Sequence, residues 1–362
     1  MKKALRVLLI VLAVLVLLAG AYVAYAFLRF HRLGDRALAV QGSAPAGQPR
    51  AGQEYTVVSY NVGFGAYEAD FGFFMDGGDR SWAWSKERLD ANLRKIGEVL
   101  REQGAEFCLV QEVDIDSTRS YHVDERPYLT GALPDAAFVF AQNYDSPWLC
   151  YPFLQPHGSS RSGMLSFSAF PVSAAERIEL PIEGGFMKFL DLDRCYSKIR
   201  IPLADGGELA LYNLHLSAYT SDGSIATEQL RLLLADMEEE YARHNYCIAG
   251  GDFNKDLLGD SAAVFGRGNT AQTWAQPIPE GTFDGLHISL VAPFDASDPV
   301  PSCRNADGPY TPEQFILTVD GFLVSENVEV LAAGVIDTDF AYSDHNPVEL
   351  RFRLRPQPRA TP

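Results

Sequence analysis

Hydrophobic and polar positions alternate with two different rhythms along this chain, after an opening stretch that has no rhythm at all. Val7 to Leu28 is a continuous apolar run without a charged residue, preceded by Lys2, Lys3 and Arg6. Beyond residue 53 the pattern breaks into short β-branched or aliphatic runs, each ended by polar residues. Tyr55–Tyr60, Phe107–Gln111, Ala137–Ala141, Gly163–Phe167, Tyr196–Ile201, Glu208–Leu216, Tyr246–Gly251, Leu317–Val324 and Val348–Leu354 read as strands. Two longer stretches have helical spacing. Ser85 to Gly104 places Leu89, Leu93, Ile96, Val99 and Leu100 on one face, with Gly104 as a C-terminal stop. Thr227 to His244 does the same with Leu230, Leu233, Leu234, Met237 and Tyr241. The turn Ala204-Asp205-Gly206-Gly207 predicts a hairpin between two of the strands.

Strands outnumber helices, and only some are joined by helical crossovers. That predicts a mixed α/β body of two packed sheets with helices outside, rather than a purely parallel doubly wound sheet. At 362 residues, 47% hydrophobic and 12% aromatic, the chain has the material for a large packed core. Its net charge of −17, from 47 acids against 30 bases, works against non-specific binding to a phosphate backbone, which needs clustered Lys and Arg. A local basic or metal-bearing pocket overrides such a global field, so a nuclease is not excluded. The five cysteines are odd in number, widely spaced and without a C-x-x-C pair, so neither a disulfide framework nor a zinc site is indicated. Cys108 and Cys247 fall in apolar strands and read as core; one bridge among Cys150, Cys195 and Cys303 stays open.

The apolar run is long enough to cross a ~30 Å hydrocarbon core at ~1.5 Å per residue. We read residues 1–6 as a cytoplasmic terminus and 7–28 as a single transmembrane anchor. A cleaved signal peptide, for which Ala24-Tyr25-Ala26 offers a loose site, is the rival reading. Either way the rest of the chain is exported: to the outer face of the cell membrane as a single-pass protein, or into the medium after cleavage. Arg29, Arg32 and Arg36 follow the run, so charge alone orients it weakly. The Gly-, Ala-, Pro- and Gln-rich segment within 29–53 predicts a flexible linker, 54–355 the folded domain, and 356–362 a disordered tail.

The ends of the strands carry the chemistry. Asn61 follows the first strand and Glu112 the second. Asn213 and His215 lie in "NLHLSAY", Asp252 and Asn254 in "GGDFN", Asp320 in "TVDGFLVS", and Asp344 and His345 in "SDHNPV". A carboxylate in an apolar strand is costly to bury unless it is paired or bound to a cation, and Asp320 is the sharpest case. Turns need Ser, Asn and Pro, but they do not need an acid and an imidazole side by side.

Taken in order, "SYNV", "VQEVD", "SGMLSFSAFPV", "NLHLSAY", "GGDFN", "TVDGFLVS" and "SDHNPV" resemble the endonuclease/exonuclease/phosphatase superfamily over about Tyr55 to Leu354. The resemblance implies a four-layer sandwich of two mixed β-sheets flanked by helices. It also implies a metal-dependent phosphohydrolase using Mg²⁺, with Mn²⁺ as a substitute. Glu112 would then be the main metal ligand, assisted by Asn61 and Asp344. Asp252 would orient or deprotonate the attacking water, and Asn254 would hold a phosphate oxygen. His345 would donate to the phosphate with Asp320 on its other ring nitrogen; His215, supported by Asn213, would be a second phosphate-facing imidazole.

Substrate choice falls to loops. Residues 61–84 are aromatic and Gly-rich, residues 114–128 offer Arg119, residues 301–314 offer Arg304, and Arg161 stands in "GSSRSGM". An Arg near the metal makes bidentate contacts to phosphate, although loop arginines are often simply solvated. The substrate class stays open among nucleic acid, phospholipid and small phosphoester: charge leans away from DNA and the anchor leans toward lipid. A non-catalytic binding module on the same fold is the alternative. It predicts gaps in the catalytic set, and Asn61, Glu112, Asp252, Asn254, Asp320, Asp344 and His345 leave none. No protein partner can be inferred.

Overall fold

A computed structural model describes residues 2–43, 46–184, 188, 193–218, 223–266 and 274–357. In chain order the elements begin with α1 (Lys2–Arg29), β1 (Arg36–Ala37), β2 (Val40–Gly42), β3 (Glu54–Asn61), α2 (Lys86–Glu102), β4 (Phe107–Asp114) and α3 (Arg126–Ala132). They continue with β5 (Ala137–Asp145), β6 (Arg161–Ser168), β7 (Ala174–Glu179), β8 (Cys195–Pro202), β9 (Glu208–His215), α4 (Ser224–Ala242) and β10 (Tyr246–Asp252). The last are α5 (Ser261–Phe265), β11 (Ile288–Val291), β12 (Cys303–Arg304), β13 (Ile316–Leu317), β14 (Asp320–Ser325), β15 (Val328–Val335) and β16 (Val348–Leu354).

Two seven-stranded sheets, in the orders β1-β7-β8-β9-β10-β14-β11 and β15-β16-β3-β4-β6-β5-β2, hold all of these strands except β12 and β13, which pair with each other. Both large sheets are mixed: β9 and β10 run parallel, as do β3 and β4, while their other neighbours are antiparallel. Period-two alternation sorts side chains between layers. Val57, Phe107, Leu109, Leu350 and Phe352 of one sheet meet Ile199, Leu211, Ile248 and Phe322 of the other in the central core. Their neighbours Val58, Cys108 and Val110 turn outward against Ile96 and Leu100 of α2 and Leu129 of α3. On the far side Tyr212, Cys247 and Ala249 pack under Leu230, Leu233 and Met237 of α4. The result is the expected four-layer sandwich, helix–sheet–sheet–helix.

Helix α2 starts where its pattern predicts, with Ser85 Oγ accepting the Arg88 N–H at 3.2 Å, and Gly104 follows it with φ +60°. Helix α4 begins three residues before the predicted Thr227. Asp320 opens β14 instead of lying within a strand that begins at Leu317, because Ile316–Leu317 pairs separately with Cys303–Arg304. The five cysteines are all free thiols, so the bridge left open by the sequence does not form.

The segment 29–53 is corrected from the flexible linker its composition predicts. β1 pairs with β7 at the edge of one sheet, and β2 pairs with β5 at the edge of the other. Arg32 Nε donates to Asp193 Oδ1 at 2.6 Å, and the Leu33 N–H donates to Asp193 Oδ2 at 2.8 Å. Open edges present unpaired backbone groups, and a segment of small residues can lie flat along them whatever its propensity. The expected tail lies, from residue 358, outside the described residues.

Candidate active site

Most of the expected set comes together at one end of the sandwich because strands of both sheets end there. In one sheet the register aligns Asp252 with His215 across the parallel β9–β10 pair and with Asp320 across the antiparallel β10–β14 pair. Three polar residues thus stand side by side at the mouth of the inter-sheet core. The approach depends on Gly251, whose φ is +152° and whose Cα faces the neighbouring strand so closely that a Cβ there would lie 2.0 Å from the Leu214 carbonyl oxygen.

From the facing sheet, Asn61 ends β3 and Glu112 lies late in β4. Simple alternation would not aim Glu112 inward, because Phe107, Leu109 and Gln111 already take the inner face. The pairing of β4 with β6 slips by one residue between Val110 and Val113, and Glu112 adopts a left-handed φ of +57°. This bulge re-aims one side chain at a functional edge, at a backbone cost of about 1–3 kcal/mol. The turn before β16 completes the ring: Ser343 Oγ donates to the Asn61 carbonyl oxygen at 2.8 Å, holding Asp344 and His345 over the ends of both sheets.

Asp252 is the hub. It is buried and accepts from Asn61 Nδ2 at 3.1 Å and from the Asn254 backbone N–H at 2.8 Å. His215 Nε2 stands 3.4 Å from Oδ2 of Asp252 and 3.9 Å from Oε1 of Glu112. Burial pushes the Asp252 carboxyl up to about 7, resisted by His345 and reinforced by Asp320. The two imidazoles are driven apart. Burial, with Arg194 and His345 nearby, holds His215 well below its ordinary value and therefore neutral. His345 is buried too, but Asp320 overcomes that penalty and raises it well above its ordinary value. The bond from His345 Nδ1 to Asp320 Oδ2 is 2.8 Å, and Ser302 Oγ donates to the same oxygen at 2.8 Å. His345 Nε2 is thereby left facing the cleft, 3.8 Å from Asp252 Oδ2.

The cleft wall includes Glu112, His215, Asp252, Asn254, Asp344 and His345 together with Arg119 and Arg304. Arg119 is paired bidentately with Asp114 and lies 3.9 Å over the Phe64 ring, so its charge is largely spent on that partner. Arg304 donates to the carbonyls of Asn305, Gly308, Glu68 and Phe71, and so ties together two of the three loops expected to choose the substrate. Asn254 Nδ2 donates to the Leu216 carbonyl at 2.8 Å. Two expected residues stand elsewhere. Asn213 is buried between the sheets, where Nδ2 donates to the Leu165 carbonyl at 2.9 Å and Oδ1 accepts from Gln111 Nε2 at 2.7 Å. Strand parity places it one layer below His215, so it ties the sheets together. Arg161 is half exposed at the start of β6 and pairs with Asp116, away from the cleft. Three wall residues had no signal in the sequence: Tyr144, His157 and Arg194. Burial and Arg119 push the His157 ring down to about 3, so it presents a neutral imidazole.

The donor set fits a hard divalent cation. Glu112 and Asp344 both face the cleft, and burial pushes the Asp344 carboxyl up to about 6, opposed by His345 and Arg304 and reinforced by Glu112. A cation between carboxylates relieves the cost of charging them. Asp252, Asp320 and His345 also bring ligand atoms within 4.8 Å of one another. However, Asp320 Oδ2 already accepts the Nδ1 proton, which makes this trio a proton-holding relay. Asn61 turns its NH₂ toward Glu112 (3.3 Å) and Asp252, while its oxygen accepts the Gly63 N–H at 3.0 Å. In this orientation it positions carboxylates rather than ligating an ion directly.

Fold and site together define a phosphoesterase of the two-sheet sandwich type. The Endonuclease/Exonuclease/phosphatase family matches residues 58–345, and the chain belongs to that family of metal-dependent phosphohydrolases. Among solved structures, one similar chain is an endonuclease/exonuclease/phosphatase from Beutenbergia cavernae DSM 12333. It is 18% identical, with a TM-score of 0.59, over 85% of this chain and 73% of that one. Another is ANGEL2, a 2',3'-cyclic phosphatase in complex with adenosine-2',3'-vanadate: 18% identical, TM-score 0.53, over 83% and 96%. A third is D. rerio TDP2 complexed with single strand DNA product, 14% identical with a TM-score of 0.51, over 83% and 99%. Among curated proteins none matches this chain.

Proposed function

We propose that this protein is a Mg²⁺-dependent phosphoester hydrolase, held by α1 at the outer face of a membrane, in which Asp252 activates the attacking water. The supporting observation is the division of roles around Asp252: a neutral imidazole on one side, a charged and Asp-backed imidazole on the other, and two cation-seeking carboxylates facing them. Glu112 and Asp344 would hold the ion, which when bound polarises the phosphoryl group and stabilises its developing charge.

The chain's own residues do the rest. Asn61 Nδ2 and the Asn254 N–H fix the Asp252 carboxylate so that a free lone pair points into the cleft to take the water proton. His345 keeps its charge because Asp320 holds Nδ1–H, so Nε2–H donates to a phosphoryl oxygen as negative charge builds there. Burial keeps His215 neutral although its Nε2 stands 3.4 Å from Asp252 Oδ2, and its Nε2–H would be offered to the same oxygens. Arg119 and Arg304 are committed to protein partners, and Arg194 donates to the His215 carbonyl at 3.3 Å, so phosphate would be gripped mainly by imidazoles and cation. That grip suits one phosphoester group better than an extended nucleic-acid backbone, and so do the −17 net charge and α1.

The full-length protein in detergent, assayed with Mg²⁺ on a soluble aryl phosphodiester, plasmid DNA, RNA, sphingomyelin and phosphoinositides, tests this directly. Hydrolysis of at least one substrate is expected, abolished by EDTA, lost in His345→Ala and strongly weakened in Glu112→Gln at the same Mg²⁺ concentration. Survival of every substrate with both Mg²⁺ and Mn²⁺ would sink the enzymatic reading, and full activity in both variants would sink the site.

A further inference from the structure

The loop joining β5 to β6 is unlike the rest of the soluble surface. Trp148, Tyr151, Phe153 and Leu154 are 42%, 61%, 79% and 102% exposed. Outside α1, only four other large apolar side chains among the described residues are so exposed (Val40, Leu232, Val264 and Val330), and they are scattered singly. A cluster within seven residues is a liability in water unless something covers it.

Its position says what covers it. Tyr22 and Tyr25 stand near the end of the apolar run of α1, where tyrosines favour the lipid–water boundary. Both are hydrogen-bonded to the backbone of this loop. Tyr22 Oη donates to the Trp148 carbonyl at 3.1 Å and accepts the Cys150 N–H at 3.2 Å, and Tyr25 Oη accepts the Trp148 N–H at 3.1 Å. Two cations stand just beyond them: Arg29 ends the helix, and Lys188 Nζ lies 4.8 Å over Phe27 and 4.4 Å over Phe30. The connection below α1 is not slack, since Arg32 and Leu33 bind Asp193.

We propose that the Trp148–Leu154 loop is a membrane-seating surface, inserted among the headgroups of the bilayer that α1 enters. The inference rests on the reading of α1 as a retained membrane helix and is independent of the catalytic reading. Its functional consequence follows from a short aromatic path. Tyr151 stacks edge-on with Phe74 at 5.8 Å, Phe74 lies 5.9 Å from the His157 ring, and His157 with Phe73 forms part of the cleft wall. The seated loop therefore holds the cleft a few side chains from the lipid surface, where it would meet phosphoester groups presented by the membrane itself.

The test uses the full-length chain in phosphatidylcholine vesicles whose acyl chains are brominated near the headgroup. Helix α1 contains no tryptophan, and the four in the chain are Trp82, Trp84, Trp148 and Trp274, so emission quenching reports on the soluble body. Quenching relative to unbrominated vesicles is expected, and Trp148→Phe, which keeps the backbone bonds to Tyr22 and Tyr25, should remove most of it. The pair Phe153→Ser with Leu154→Ser should weaken quenching in the same way while the protein still floats with the vesicles. Flotation with no quenching, or equal quenching in Trp148→Phe, overturns the seating. Failure to float overturns the anchor reading and the seating with it. Hydrolysis of a soluble phosphodiester by the same samples reports separately on the active site.

Discussion

Gly251→Ala is the smallest change that separates the geometry of this site from its chemistry. The new Cβ would sit 2.0 Å from the Leu214 carbonyl oxygen of the neighbouring parallel strand. Real contacts of this kind stay beyond about 3 Å, so β9 and β10 must part locally by roughly 1 Å, at an overpacking cost of ~1–3 kcal/mol. The φ of +152° adds ~1 kcal/mol or more for any residue with a side chain. Together these predict a loss of roughly 2–4 kcal/mol, or about 4–8 °C in Tm for a body of this size. The next residue pair is Asp252 with His215, so the same displacement moves the proposed base relative to the imidazole proposed to face the phosphate. A misplacement of ~1 Å costs on the order of 100-fold in rate. Differential scanning fluorimetry and kcat/KM on a soluble phosphodiester, at a temperature where the variant is fully folded, measure the two effects independently. A variant with unchanged Tm and unchanged kcat/KM would refute the claim that strand approach at Gly251 sets the site. Lost stability with intact catalysis would refute the link from strand spacing to Asp252.

Asp320→Asn removes the partner that keeps His345 charged, so kcat/KM should fall by roughly 100- to 10,000-fold and its alkaline limb should move to lower pH; an unchanged limb would show that another group sets it. Glu112→Gln should raise the Mg²⁺ concentration needed for half-maximal activity well above that of the native protein, whereas an unchanged metal dependence would place the ion elsewhere. Away from the site, the buried Glu240 carboxylate is held at about 2: burial raises it, but Arg200, Asn245 and Lys198 lower it further. A depressed acid contributes stability above its unfolded value near 4.5 and loses it as pH falls toward 2. Allowing for the partly hydrated Arg200 and Arg243, Glu240→Gln should cost about 2 kcal/mol at pH 7. Urea denaturation should show that gap narrowing at pH 3, and a pH-independent gap would assign the loss to packing instead.

What could be read in the sequence was what repeats locally. Inner and outer faces of strands alternate, so Val57 and Val58 separate into different layers with no knowledge of the partner sheet. Polar residues that end apolar strands, such as Asn61 and Asp252, advertise themselves because burial without purpose is costly. Long-range parity decided the rest. Asn213 and His215 share a strand face, yet only the later one clears the facing sheet, so the sequence places both at the cleft when only His215 lines it. Glu112 points inward through a one-residue bulge that leaves no composition signal. The loop arginines could not be ranked, because their partners (Asp114 for Arg119, Asp116 for Arg161, four carbonyls for Arg304) arrive from folded neighbours. His157 and Arg194 stand in segments without a motif and reach the cleft only once β5, β6 and β8 are stacked.

The corrected linker changes how the anchor acts on the cleft. A flexible tether over residues 29–53 would let the body wander by roughly 25–30 Å relative to the membrane, and an exposed aromatic loop would then meet lipid only occasionally. The observed segment instead pairs with β7 at the edge of one sheet and with β5 at the edge of the other, and Arg32 is tied to Asp193 on the way. Strand β5 runs directly into the loop that carries Trp148, and that loop is hydrogen-bonded back to α1. Helix, edge strands and loop thus form a closed circuit of strand pairing and side-chain hydrogen bonds, so orientation is set in part by the same sheet pairing that builds the core. Lengthening the segment between Gly34 and Arg36 with a Gly-Ser insertion should loosen that circuit without touching the catalytic residues. Trp148 quenching by headgroup-level bromolipids would fall while turnover of a soluble phosphodiester held steady. Unaltered quenching in the insertion variant would show that α1 alone, and not the edge pairing, sets the height of the loop.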